Sequence, residues 1–202
     1  MYQPSARSWK ELFIHESNWI DPQPGYNGSN PGCPMFENHM NALNFAVSDG
    51  WELTSSTPLD IHRLLTRGIP FFEDKGDSGK YRTVDVWIGH DLCPNHLLIP
   101  GLMEQWYRIT KTMMDSFLSK CGSEEEARNI AWISHHMFEV VHPFIDGNGR
   151  TGRLIVAKVL HDLGHEPLIV KFDDRYEYYE AIQSFRDRHW SGNQFIIENS
   201  AL

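Results

Sequence analysis

The sequence predicts a mostly α-helical domain that carries one short β-hairpin. Three observations predict it. Apolar residues recur at helical spacing along several stretches. Pro- and Gly-rich punctuation separates those stretches. Only one run, "GKYRTVDVWIGH", is rich in β-branched and aromatic residues, and it reads as a short hairpin. The chain of 202 residues, 41% of them hydrophobic, is long enough for one domain with a proper core. It shows neither an internal repeat nor a second domain.

Each element has its own signal. Trp9, Leu12, Phe13 and Ile20 recur at helical spacing, so residues 5–20 are predicted to form a helix. It stops at "DPQPGYNGSNPGCP", too dense in Pro, Gly and Asn to be anything but a loop. A second helix is predicted over Met35–Val47. "STPLDIHRLLTRG" has a Ser or Thr cap, Pro58 in the first turn and Gly68 after the end, which marks a third. Pro100 to Leu118 reads as helical. "SEEEARNIAWISHHMFEVV" opens with a capping box, Ser123 to Glu126, ahead of apolar residues at helical spacing. A further helix is predicted from about Arg150 to Leu163, ended by Gly164.

Composition narrows the function. A net charge of −9 argues against a general nucleic-acid binder, which needs clustered Lys and Arg on phosphates. No apolar run is long enough to span a bilayer, and "MYQPSARSWKEL" lacks the apolar core of a signal peptide. Cys33, Cys93 and Cys121 are few, odd in number and far apart, which suits reduced thiols and a cytoplasmic location.

The stretch "HPFIDGNGRTGR", His142 to Arg153, carries the chemistry. It opens a predicted helix, whose N-terminus presents unpaired N–H groups and partial positive charge. Gly147 and Gly149 let the backbone approach a ligand and form an anion nest. Asn148 adds a side-chain donor. Arg150 and Arg153, three apart on the first turn, add two forks that suit phosphate oxygens. Asp146 is a hard-oxygen ligand suited to Mg²⁺. His142, at the end of the preceding helix, is placed to take a proton from an attacking group. Together these parts describe nucleotidyl or phosphoryl transfer to a hydroxyl. A Gly-Asn-Gly turn occurs without ligands too, but one short loop has little structural need for Asp, Asn, two Arg and His together.

The same string resembles the signature of the Fic family, His-x-Phe-x-(Asp/Glu)-Gly-Asn-Gly-Arg-x-x-Arg, at every fixed position. "GKYRTVDVWIG" is similar to the stretch before that family's flap, and "DDRYEYYEAI" to a stretch after its motif, so the resemblance covers roughly residues 35–190. It implies a Fic fold for 35–202, preceded by an N-terminal segment over 1–34. It also implies AMP transfer from ATP to a Ser, Thr or Tyr hydroxyl of a target protein, often with self-modification. Carried over, His142 is the base, Phe144 anchors the loop and Asp146 holds Mg²⁺ on the α- and β-phosphates. Gly147, Asn148 and Gly149 form the anion hole, with Asn148 orienting the α-phosphate. Arg150 contacts the β-phosphate and Arg153 the γ-phosphate. Gly149, in place of the Lys of phosphate-transferring members, favours AMP transfer. The flap falls on residues 86–94, with Val86, Trp87, Ile88 and Gly89 docking the target as an added strand. Tyr178 and Tyr179 fall where the family often lines its nucleotide pocket, and core packing is the equal alternative for both.

"ESNWIDP" resembles the family's inhibitory motif, (Ser/Thr)-x-x-x-Glu-(Gly/Asn), whose Glu pairs with the last Arg of the signature. Here Ser17 and Asp21 occupy the key positions. Asp is shorter by a methylene, roughly 1.5 Å, and Pro22 replaces Gly or Asn. The expectation is therefore split between weak pairing, pairing after a helix shift, and an ordinary helix end. "QFIIEN" is a lesser candidate, with Glu198 as its acid. Other readings are a metal hydrolase built on His135, His136, Glu139 and His142 or on His161-Asp162, a catalytically silent nucleotide-binding module, removal of AMP, and use of UTP or GTP. The resemblance leaves a homo-oligomer open, and the target is not readable.

Overall fold

The computed structural model describes residues 8–22, 31–191 and 194–195. Eight α-helices are described: α1 (Trp9–Ile20), α2 (Pro34–Ala46), α3 (Thr57–Thr66), α4 (Pro70–Glu73), α5 (Ile99–Lys120), α6 (Glu124–Val141), α7 (Asn148–Asp162) and α8 (Arg175–His189). Two antiparallel hairpins accompany them, β1 (Trp87–Ile88) with β2 (Asp91–Leu92), and β3 (Trp190–Ser191) with β4 (Gln194–Phe195). None of the described helices is long and apolar enough to cross a membrane.

Helix α7 is the centre of the core. Every residue from Arg150 to Leu160 is buried, and the helix packs against α1, α2, α3 and α6. Its second half, Leu154–Leu160, is apolar apart from Lys158, as suits a helix inside a domain. The one amine in that run, Lys158, is satisfied: Nζ donates to the Trp51 carbonyl at 2.9 Å and to Asp162 at 2.7 Å, and lies 3.7 Å from the centre of the Trp51 ring. Helices α5 and α6 cover one side and α2 and α3 the other. Trp106, Phe138 and Phe144, all fully buried, fill the space between layers.

Several elements differ from the sequence expectation, each for a physical reason. Helix α1 begins at Trp9, where Ser8 and Glu11 form a reciprocal capping box. Its buried face is Phe13, Ile14, Ser17, Asn18 and Ile20, while Trp9 and Leu12 stay exposed. The box expected at Ser123 is only half formed. Ser123 Oγ accepts from Glu126 N, but the Glu126 carboxylate is drawn to Lys120 at 2.7 Å. Of the run 79–90 only Trp87–Ile88 is strand, because Arg82 takes the carbonyl of Val84 and leaves no ladder there. The hairpin turns at Gly89 and His90, with Gly89 at φ +59°, which a type II′ turn requires. Helices α4 and α8 and the second hairpin were not foreseen. Helix α8 buries only Tyr178 and Phe185 and so lacks apolar periodicity.

Buried neutral histidines give this core a pH dependence. His39, His62 and His135 are fully buried. Burial lowers all three, and nearby Arg150 or Arg153 lowers His39 and His135 further. His62 falls to about 3, through burial first and Arg150 among the lesser causes. The unfolded chain protonates them below pH 6.5 and the folded chain does not, so stability is lost as pH falls below that value. At pH 5 each costs up to about 2 kcal/mol. Glu139, raised to about 8, works in the opposite sense and offsets about one of the three histidines. The guanidinium chloride midpoint is expected to fall clearly between pH 7 and pH 5.

Candidate active site

The loop between α6 and α7 is shaped by its ends. Helix α6 stops at His142, held in the left-handed region at φ +49°. For a residue with a Cβ that conformation costs about 1–2 kcal/mol. It is maintained from outside. Arg82, buried, donates from Nε to the His142 carbonyl at 2.8 Å and from Nη2 to the Pro94 carbonyl at 2.6 Å. Its main-chain N–H donates to the Pro143 carbonyl at 2.9 Å. Arg82 therefore caps the C-terminal carbonyls of α6 with a cation.

Phe144 is fully buried and stacks on His62, with ring centres 3.9 Å apart. His62 accepts the Gly79 N–H at Nδ1, so Nε2 donates to the Asp146 carbonyl at 3.0 Å. Asn148 contributes in a way the sequence did not suggest. Its Oδ1 accepts from Phe144 N and its Nδ2 donates to the Phe144 carbonyl, both at 2.9 Å. The side chain thus clamps the loop to itself, where a direct phosphate contact was expected.

Helix α7 starts at Gly147, φ +80°, with no side-chain cap on its first N–H groups. Uncapped N–H groups at a 15-residue helix are a ready anion cradle. The two arginines differ. Arg150 is buried, yet Nε and Nη2 have no hydrogen-bond partner, and Asp146 Oδ1 is 3.7 Å away. Burial lowers its pKa, against Asp146 and Asp21, which raise it. A buried cation left this open calls for an anion. Arg153 is saturated. It donates to Ser17 Oγ at 2.7 Å, the Ser17 carbonyl at 2.9 Å, Asp21 Oδ2 at 2.8 Å and Tyr178 Oη at 3.2 Å. Burial opposes its charge, but Tyr178, Asp21 and Glu139 outweigh it, and the pKa is raised.

Asp21 reaches Arg153 despite its shorter side chain because it is the C-cap of α1, where the chain leaves the helix at φ −121°, ψ 74°. A carboxylate at the negative end of a helix is otherwise unfavourable. Asp21 thus ends α1 and pairs with Arg153 from that position. Two further bonds seat the segment: Tyr179 Oη donates to the Ile20 carbonyl at 3.1 Å, and Glu16 accepts from Phe172 N at 2.7 Å. Asp21 Oδ2 lies in space that a Cβ on Gly149 would occupy. Arg153→Ala is therefore expected to lower stability by about 2–3 kcal/mol and to speed amide exchange in α1, since four acceptors lose their donor.

One cavity of about 520 Å³ joins these parts, lined by Asp21, His142, Gly149, Tyr178, Tyr179 and the hairpin residues Ile88 and Gly89. Trp87 is 64% exposed, so it is not core packing, while Val86 is half-buried and its carbonyl accepts from Cys93 N. Tyr178 is buried and bonded to Arg153 and to His135 (2.9 Å), so packing and pocket lining coincide there. A second cavity of about 500 Å³ lies behind Tyr178, against Trp132 and His136, so volume alone does not select the site. His142 is 21% exposed at its side chain. Burial first, then Arg82, pushes its pKa down to about 4, against Asp21 and the Glu139 main-chain carbonyl. It is neutral at pH 7, as a base must be.

Asp146 Oδ1 accepts from Gly147 N at 2.6 Å, and the side chain is 40% exposed. A single accessible carboxylate fits Mg²⁺, which is usually held by one or two carboxylates, waters and substrate phosphates. No group of three or more His, Cys, Asp or Glu side chains converges as a metal-ligand set among the described residues. His135 and His136 instead pack on Tyr178 and Trp132. His161 faces Asp49 and Asp162, each at 3.6 Å. Glu198 of the lesser inhibitory candidate lies outside the described residues. Arg82, His62 and Glu139 are site residues the sequence reading missed or left unused. They sit dozens of residues or one helical turn from the loop, with no motif to flag them.

Fold and site together define a helical scaffold in which a glycine-rich loop, the half-buried His142 and a hairpin meet in one cavity. The chain belongs to the Fic/DOC family, whose signature region matches residues 52–160. A protein adenylyltransferase Fic of Nematostella vectensis is 32% identical over 131 residues, 64% of this chain and 28% of that protein. One of Drosophila ananassae is 28% identical over 144 residues, 71% of this chain and 27% of that protein. The chain thus spans about a quarter of the length of these curated relatives. A Fic domain containing signaling protein of Bacteroides thetaiotaomicron superposes with a TM-score of 0.70 at 19% identity, covering 90% of this chain and 73% of that one. Fic-1 of C. elegans superposes at 0.65 and 21% identity, covering 89% and 56%. These likenesses show the fold.

Proposed function

We propose that the protein is an adenylyltransferase that moves AMP from ATP to a hydroxyl side chain of a target protein and that α1 restrains it. The observation that carries this reading is the shared cavity, which has His142, the start of α7 and the hairpin as its walls. The open guanidinium of Arg150 supports it. So do the relatives, which bear the name protein adenylyltransferase Fic.

In this reading the target lies along the exposed hairpin edge, Trp87 to Gly89, and presents its hydroxyl to His142. His142 takes the proton as the oxygen attacks the α-phosphorus. The bond to the β-phosphate breaks and pyrophosphate leaves. The uncapped N–H groups of α7 and Arg150 stabilise charge on the phosphates without reorganising. Asp146 would hold Mg²⁺, which neutralises phosphate charge when bound. Arg153 would take the γ-phosphate, but Ser17 and Asp21 hold it in the resting protein.

Intact-protein mass spectrometry after incubation with ATP and Mg²⁺ tests this directly, because such enzymes modify themselves when a target is absent. A gain of one AMP, absent in His142→Ala, is expected. No gain with ATP, UTP or GTP, in the Asp21→Gly form and with a supplied target, would overturn the transferase reading in favour of a silent nucleotide-binding module.

A further inference from the structure

Glu139 is a buried acid with no structural reason to be one. It sits on α6 among Phe138, Val140 and Val141, all buried. Oε1 has no hydrogen-bond partner, and Oε2 is 3.8 Å from His142 Nδ1, which is also buried and unpartnered. A structural carboxylate is ordinarily satisfied by several donors. Oε1 points toward Gly152 and the His135 ring, while the second oxygen, Oε2, faces the His142 ring one turn on, at the C-cap of α6. Room for the acid exists because residue 152 is glycine. A Cβ there would lie 2.6 Å from Glu139 Oε1 and 2.6 Å from the His135 ring.

We propose that Glu139 is the positioning residue of His142: its carboxylate holds the proton on Nδ1 and leaves the Nε2 lone pair facing the cavity. This rests on the reading of His142 as the base. Nδ1 is buried while the side chain is 21% exposed, so the other edge of the ring is the reachable one. When His142 takes the target's proton on Nε2, the ring becomes a cation and the neighbouring carboxylate stabilises it. The logic is that of an acid orienting a catalytic imidazole.

The same geometry couples Glu139 to α1. The charged and titratable groups around the pair are Asp21 from the end of α1, Arg153 from α7, Tyr178, Tyr179 and Arg186 from α8, Arg82 and Cys93 flanking the hairpin, and His135 on α6 itself. Burial raises the Glu139 pKa to about 8, Asp21 adds to the rise and Arg153 opposes it. In the resting protein Glu139 is therefore mostly protonated at neutral pH, and it offers Nδ1 no negative charge. Departure of Asp21 removes a negative neighbour and lowers that pKa, which shifts Glu139 toward its ionised form, against the larger effect of burial. Asp21 thus restrains the site twice, by occupying Arg153 and by keeping the orienting acid neutral.

Two readouts test this in the full chain, in Asp21→Gly with and without Glu139→Gln. The first is NMR of ¹³C,¹⁵N-histidine-labelled protein, with His142 assigned from the His142→Ala spectrum. The Nδ1–H tautomer is expected to dominate in Asp21→Gly. In Glu139→Gln the tautomers mix and the His142 pKa falls by at least about one unit. The other histidine resonances report that the fold is intact. The second readout is the pH profile of AMP transfer. The rate is expected to rise with pH through about 8 in wild type and at lower pH in Asp21→Gly. Glu139→Gln loses that limb and roughly tenfold or more in kcat, with KM for ATP unchanged, and Glu139→Asp restores the limb. The same His142 tautomer and pKa in Glu139→Gln would overturn the proposal, and would leave the Glu139 main-chain carbonyl as what orients the ring. Should no transfer occur in any form, the spectrum still decides, so this proposal and the transferase reading fail separately.

Discussion

His142→Ala loses AMP transfer by roughly 100- to 10,000-fold, the usual worth of a positioned general base, while ATP affinity by calorimetry is unchanged. The loss is chemical because the side chain holds nothing else in place. Nδ1 has no hydrogen-bond partner, and what Arg82 grips is the main-chain carbonyl of residue 142, which alanine keeps. On the proposed reading the phosphates would rest on the start of α7 and the loop clamp, Asn148 on Phe144, neither of which uses the imidazole. Equal turnover in the variant would remove His142 from the reaction. A parallel fall in ATP affinity would instead point to a ring that packs against nucleotide.

Asp21→Gly gains activity, by about 10- to 100-fold. A hydrogen bond to a charged group contributes about 1.5–3 kcal/mol, and each 1.4 kcal/mol is tenfold. On the proposed reading that contribution would compete with the γ-phosphate for Arg153, which Asp21 engages at 2.8 Å. Gly removes the carboxylate but leaves Ser17 Oγ and its carbonyl on the guanidinium, so the cation stays in position. The gain is read from initial rates at subsaturating ATP. Unchanged rates would mean that α1 departs without resistance whenever nucleotide arrives, and Asp21 would then be only a helix-end residue.

Much of this was legible in the sequence because it is local. The twelve residues from His142 to Arg153 form one contiguous loop and first helical turn, so their spacing alone brings them together. Helices α2, α3 and α5–α7 carry breakers and apolar spacing that agree, and α6 its Ser123 cap, whereas the Ser or Thr cap expected on α3 makes no cap hydrogen bond. What escaped is contact across distance. Arg82 and His142 are 60 residues apart, and Ser17 and Arg153 are 136 apart. No periodicity encodes such pairs, though the family resemblance pointed to the second. Asn148 illustrates a further limit: an amide that donates and accepts suits a ligand or a backbone equally, and only the fold decides. The hairpin was overextended because β-branched residues were read as strand where a buried guanidinium takes up the carbonyls.

Arg82 has a mechanical consequence. Its one guanidinium grips Val84 on the approach to the hairpin, Pro94 on the exit and the carbonyl of His142. The two stalks of the hairpin and the end of α6 therefore share a single rivet. A load placed on the exposed edge at Trp87 and Ile88 travels through a rigid planar group to the residue that turns the imidazole into the cavity.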